Sequence, residues 1–232
     1  MTTTHEQALR GETSGRRSRG RPPLPLDRIV ATALQIVDEE GAEALSMRTL
    51  AQRLGSGTAT FYRHFDNRSA LVAHVVDRVF GEVELGAGEL AAMGWQEACR
   101  TAAHAMFDAL GRHRNVAPLL AEEVPLGPNA MALRERCLAV LLDGGFQPEA
   151  AARSYTALAG HVLGSAMQMG GHGSAGRDAD ARVSAVFHAI DPSQYPATVA
   201  VAGSLPVPLH DEFSFGLELL LSGLSQLRDQ DS

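Results

Sequence analysis

Between residues 27 and 227 the apolar side chains of this chain recur at three- and four-residue spacing, and that one period confines the fold to packed helices. Ile29, Ala33, Leu34 and Val37 share a helical face, with Asp27 favouring its start and Gly41 expected in a left-handed position past its end. Ser46 can cap a short helix carrying Met47, Leu50, Ala51 and Leu54, which stops at Gly55. A third short helix is expected over about 57–65, and a fourth over roughly 68–84, carrying Leu71, Val75, Val76, Val79 and Phe80. Pro118 interrupts the pattern that follows, and Pro125, Gly127 and Pro128 make a loop. Further helices are expected from Trp95 to Arg112, Asn129 to Leu142, Pro148 to about Gly170, around Val183–Ile190, and from Asp211 to Leu227. Residues 170–181 have almost no apolar content and are expected to be mobile. The best strand candidate, residues 197–203, stands alone, so the expected class is all-α.

Composition narrows the setting. With 5% aromatics, the core must be built mainly from Leu, Val and Ala. No apolar run reaches the roughly 18 residues a membrane span needs, and MTTTHEQALRGETSGRRSRGR contains no signal-peptide core, so a cytoplasmic location without membrane contact is expected. Cys99 and Cys137 have no CxxC spacing, which argues against a disulfide scaffold and a zinc finger. The net charge of −7 conceals an asymmetry. All 20 basic residues are Arg; residues 1–78 hold 11 of them against 9 acids, and residues 79–232 hold 9 against 18. A cationic front fits a polyanionic partner, although acidic solvated faces in the larger half would leave the same imbalance.

Chemistry concentrates in SMRTLAQRLGSGTATFYRHFDNRSALV, residues 46–72. Two short helices joined by a tight turn at Gly55 form the helix-turn-helix layout. In the second, Phe61 and Phe65 are anchors at i and i+4, while Thr58, Thr60, Arg63 and His64 are polar. Small hydroxyls near the start of a narrow helix suit base edges in the major groove, and Tyr62 and His64 suit phosphates. An ordinary amphipathic helix pair is the alternative. Enzyme signatures are missing: there is no HExxH, P-loop or Ser/His/Asp arrangement. The chain is therefore read as a regulator and not an enzyme. An all-α enzyme with a helix-turn-helix-like start is the rival, and a nonspecific DNA architectural protein is disfavoured by the acidic rear.

The run from Ile29 to Phe80 resembles the DNA-binding domain of the tetracycline-repressor family. The resemblance rests on IVATALQIVDEEGAEALSMRTLAQRLG followed by TFYRHFDNRSALV, with Phe61–Tyr62–Arg63–His64–Phe65 matching the aromatic end of the family's recognition helix. Asn67–Arg68 stands for the family's Asn–Lys, and Ser56 occupies a turn position where the family usually has Val. The resemblance implies DNA contacts at Arg48, Thr58, Thr60, Tyr62, His64 and Arg68, with Thr58 and Thr60 on base edges and Tyr62, His64 and Arg68 on the backbone. Capping or aromatic stacking for His64, and a solvated helix face for Arg48, stay open. Arg16, Arg17, Arg19 and Arg21, before Pro22, Pro23 and Pro25, can lie along DNA as basic arms do, or form an inert tail.

The rear resembles the C-terminal domain of the same family in WQEACRTAAHAMFDALGRHRNVAPLLAEEVPLGPNAM and DEFSFGLELLLSGL. That resemblance implies a homodimer in which helices 149–170 and 211–227 form a four-helix bundle with their copies. Independently, the last helix is apolar nearly all round, and Gly160 and Gly164 allow close helix approach. The expected organisation is a flexible basic arm (1–24), a three-helix DNA-binding domain with its connecting helix (25–84), and a larger effector-binding and dimerisation domain (85–232). The expected function is a ligand-responsive repressor that binds a palindromic double-stranded DNA operator as a dimer and is released by a small molecule. Pocket candidates are His104, Met106, Phe107, Leu110, Phe146, Tyr155, His161, Met167 and Met169, each also suited to core packing. His104 and Asp108 share a face at i and i+4, but two ligands fall short of a metal site; no metal or cofactor is expected.

Overall fold

Ten α-helices account for most of the computed structural model, which describes residues 24–86, 88–122, 124–170 and 176–230; no strand occurs among them. The arginines at 16, 17, 19 and 21 lie outside the described residues, as do residues 171–175 of the polar stretch. The helices are α1 (Leu26–Glu40), α2 (Met47–Leu54), α3 (Arg68–Gly81), α4 (Trp95–Arg112), α5 (Ala117–Glu122), α6 (Pro128–Asp143), α7 (Pro148–Met169), α8 (Gly176–His188), α9 (Pro196–Val201) and α10 (Leu209–Gln230). The all-α class holds.

Several boundaries differ from expectation for local reasons. α1 begins at Leu26, one residue after Pro25, whose extended backbone makes it the N-cap and leaves Asp27 inside the first turn. The expected third helix is a six-residue 3₁₀ helix, Thr58–Arg63. Two Thr and two aromatic residues in six positions have weak α-propensity, and so short a segment settles into the tighter i→i+3 bonding. α3 ends at Gly81, short of the expected 84. Pro118 starts a helix, standing in the first turn of α5 where its missing N–H costs nothing. The strand candidate at 197–203 is helical, with Pro196 opening α9. α8 begins at Gly176, well before Val183.

α1, α2, the 3₁₀ turn and the first half of α3 enclose a small core in which Ile29, Ala33, Ile36, Leu50, Phe61 and Leu71 are completely buried. The larger body packs α4 against α6 and α7, with α10 crossing α7 and α3 lying on α6. One apolar cluster runs from Ile29 through α3 into Leu110, Leu141 and Phe213, so head and body share a continuous core. Two glycines permit close contacts between helices of the body. A Cβ on Gly216 would stand 2.5 Å from the His161 ring, and one on Gly144 would stand 2.8 Å from Trp95.

Candidate functional site

Around the helix-turn-helix, backbone chemistry holds the reading surface in place. Ser46 Oγ accepts the Thr49 N–H at 3.0 Å, the N-cap bond expected there. Gly55, at φ 57° and ψ 40°, takes the left-handed position, with its N–H bonded to Gln52 O and the Ser56 N–H to Ala51 O. Phe61 and Phe65 then sink into the head core, which turns the residues between and before them outward. Arg48, Thr58, Tyr62 and His64 are exposed together, Tyr62 at 57%. Thr60 is half-buried, its Oγ1 accepting from Ser56 Oγ at 3.1 Å. His64 also lies near Phe65, with ring centroids 6.2 Å apart.

Arg68 is bonded to groups outside that set. Its Nε donates to Leu45 O (2.9 Å), one terminal nitrogen to Ala42 O (3.2 Å) and the other to Glu122 of α5 (2.7 Å). The side chain therefore ties the start of α3 to the α1–α2 connection and to the body. α3 begins cleanly, with Asn67 Oδ1 accepting the Ala70 N–H at 2.8 Å.

Farther along α3, Asp77 caps a helix of the body. Its Oδ1 accepts the Ala130 N–H at 3.0 Å, in the first turn of α6, and its Oδ2 accepts from Asn129 Nδ2 at 3.0 Å. Only glycine fits at 127, because a Cβ there would stand 2.3 Å from the Asp77 carboxyl. A second tie is His113, whose ring bonds Asp38 at the end of α1 (2.9 Å) and Glu82 just past α3 (2.8 Å). Burial works against the charged ring, but the hydrogen bonds to Glu82 and Asp38 outweigh it and raise its pKa above the usual 6.5. Asn115 adds bonds from its amide to the carbonyls of Val37 and Asp38.

Between α4, α6 and α7 lies a cavity of about 330 Å³. α4 lines it with Cys99, Ala103, Met106 and Leu110, and α7 with Tyr155, Leu158, Val162 and Leu163. α6 contributes Leu133, Arg134, Cys137 and Leu141, and α3 reaches it through Phe80. Of the expected pocket residues, Met106, Leu110 and Tyr155 are brought together here. His104, Phe107 and His161 instead pack on Phe213, with Phe107 stacked at 4.0 Å and His161 at 5.2 Å while bonding Phe213 O. Phe146 packs edge-on against Trp95, Met167 is exposed, and Met169 is half-buried against the core near Gly111. Among the described residues no three His, Cys, Asp or Glu side chains group around a metal-sized space.

Sequence reasoning overlooked the α6 wall. Its signal was present in Leu133, Cys137 and Leu141 at four-residue spacing, with Arg134 beside that stripe. The two thiols are ordinary apolar lining. Burial pushes Cys99 up to about 12, with Cys137 adding to it, and pushes Cys137 up to about 11 against the pull of Arg136. Both stay protonated at neutral pH and are poor nucleophiles.

Comparison with known proteins decides the relationship. Residues 29–75 match the model of bacterial regulatory proteins of the tetR family, and residues 87–228 match the tetracyclin repressor-like C-terminal domain. The chain belongs to the tetracycline-repressor family. It is a DNA-binding transcriptional regulator of that family, as the resemblance of residues 29–80 implies. This repressor-family chain is 32% identical to the transcriptional repressor DrrR1 of Streptomyces coeruleorubidus, over 93% of its own length and 83% of the relative's. It is 34% identical to apo ActR of Streptomyces coelicolor, with a TM-score of 0.80 over 91% of this chain and 100% of that one. ActR solved in complex with actinorhodin matches at 33% identity and a TM-score of 0.79, over 89% of this chain and 99% of that one. No helix among the described residues is long and apolar enough to cross a membrane.

Proposed function

We propose that the protein represses transcription as a homodimer on a palindromic operator and releases it when a small molecule fills the cavity between α4, α6 and α7. In this reading residues 25–84 read DNA, residues 85–232 pair two chains and hold the effector, and residues 1–24 add positive charge. Thr58 and Thr60 meet base edges, Tyr62 and His64 the backbone, and Arg48 the groove wall. Arg68 supports the reading surface from behind; a phosphate contact requires it to leave Glu122. No catalytic step is assigned.

The observation that carries this reading is that α3 joins the two sites. Its start holds the reading surface, Phe80 near its end lines the cavity, and Asp77 between them caps α6. A ligand that displaces the α6 wall acts on that cap and so on the tilt of α3. That ActR, a relative, has been solved with actinorhodin supports a small-molecule effector. Coupling of this kind is typically about 1–3 kcal/mol, or 5–150-fold in affinity.

Enrichment from a random duplex pool at near-physiological salt tests the reading. A palindrome is expected, with half-sites about 34 Å apart or a multiple of it. Tyr62→Phe should weaken binding to every selected site by about 1 kcal/mol. Thr58→Ala should relax one base position by about 1–3 kcal/mol. A folded, dimeric protein that enriches no sequence would overturn the proposal.

A further inference from the structure

We infer that the ligand of the cavity is an organic anion: a compact apolar skeleton bearing one ionised acid group, which docks on Arg134. The inference rests on the cavity being the effector site. Arg134 is the one charged residue among the described residues that line it, in a wall otherwise made of aliphatic, aromatic, thiol and single hydroxyl groups. No carboxylate among the described residues pairs with it. Its contacts are a bond from one terminal nitrogen to Pro125 O at 3.0 Å, a contact of the other with Met131 Sδ, and the Tyr155 ring, 5.9 Å from the guanidinium carbon. Every other guanidinium near this region is engaged: Arg68 with Glu122, Arg136 with two carbonyls, Arg100 with Glu97 and Glu218.

A half-buried guanidinium facing an apolar cavity, with no acidic partner among the described residues, favours a ligand that brings the acid. The geometry adds a second donor. The Tyr155 hydroxyl has no hydrogen-bond partner among the described residues, and its ring lies against the same guanidinium, so an acid group there can meet both. The Cys99 and Cys137 thiols, both neutral, leave the rest of the lining uncharged and suited to the skeleton. The volume stands at the lower end of the roughly 300–1,000 Å³ of ligand pockets, so the skeleton is compact.

A matched pair of fluorescent probes separates charge from cavity filling. 8-Anilinonaphthalene-1-sulfonate and N-phenyl-1-naphthylamine share a skeleton and differ by the acid group. The full-length protein should bind the sulfonate about tenfold tighter or more, as expected for a charged hydrogen bond. Arg134→Gln should bring the sulfonate to the level of the neutral probe and leave the neutral probe unchanged, while Arg134→Lys should keep a preference for the anion. Thermal unfolding of each variant confirms that it is folded. Ala159→Trp, which fills the cavity from its exposed edge, should abolish both probes. If the neutral probe is lost in that variant yet the wild type shows no preference for the sulfonate, the anion inference falls and the cavity reading stands. If Ala159→Trp leaves both probes bound, the cavity reading falls and takes the inference with it.

Discussion

Asp77 is the residue on which head and body most depend. A carboxylate on α3 supplies the cap that Gly127 and Pro128 cannot give their own helix, and it is buried with both oxygens bonded. Asp77→Ala should cost about 1–2 kcal/mol in urea unfolding, the usual loss for a capping side chain, and should weaken effector-driven release of DNA. An unchanged unfolding midpoint would remove this role. His113 gives the molecule a pH dependence of definite sign. Its folded pKa is raised, so its contribution is fully present below about pH 6.5 and is lost as pH rises through the folded value. Wild-type stability should therefore fall above neutrality, and His113→Gln should flatten that part of the profile. If thermal melts across pH 6 to 9 are parallel for the two proteins, the clamp contributes nothing.

At the scale of elements, the helix-turn-helix depends on its two ends more than on its length. α2 has eight residues, too few to be stable alone, and is held by the Ser46 cap, the Gly55 closure and the buried face of Leu50 and Leu54. Ser46→Ala should destabilise the head by about 1 kcal/mol, seen as a lower denaturation midpoint, because it leaves the Thr49 N–H without its acceptor. These caps were legible in the sequence because each is a local pairing of residue type and position. The 3₁₀ form of Thr58–Arg63 was not, since the energetic difference between two tight helices is small in so short a segment of weak α-propensity. Helix α5 shows the same limit. Pro118 reads as a break until the chain on its N-terminal side is seen to turn, which makes it a helix start.

Over the whole molecule, the most conspicuous feature is an apolar face on α10 that the single chain leaves open. Phe213, Leu217, Leu221 and Leu224 are buried against the body, but Phe215 is 68% exposed and Leu219 is 59% exposed. Gly160 and Gly164 of α7 have open space where a Cβ would stand, and Met167 is exposed on the same helix. Such a face fits pairing with a second copy. Phe215→Glu should convert the proposed dimer to a folded monomer in sedimentation and lower operator affinity at least tenfold, because one head then binds one half-site. A dimer that survives this change would place the contact elsewhere.

By itself the sequence determined the all-α class, the order of the long helices, the cap at Ser46, the turn at Gly55 and the outward set around Tyr62. All of these follow from period, propensity and short-range pairing, which act within about one or two turns of chain. It also carried the family, because the head motif is a local pattern. Tertiary structure decided which residues share a cavity, and why only three of the expected pocket residues reach it. His104, Phe107 and His161 are on helices of the right kind, yet the crossing of α10 at Gly216 draws them to Phe213. Arg134, Asp77 and His113 gained their places the same way. A charged residue on an amphipathic helix reads as solvated until a distant helix removes the solvent, and burial then makes its partner, or its lack of one, the dominant energy at that position.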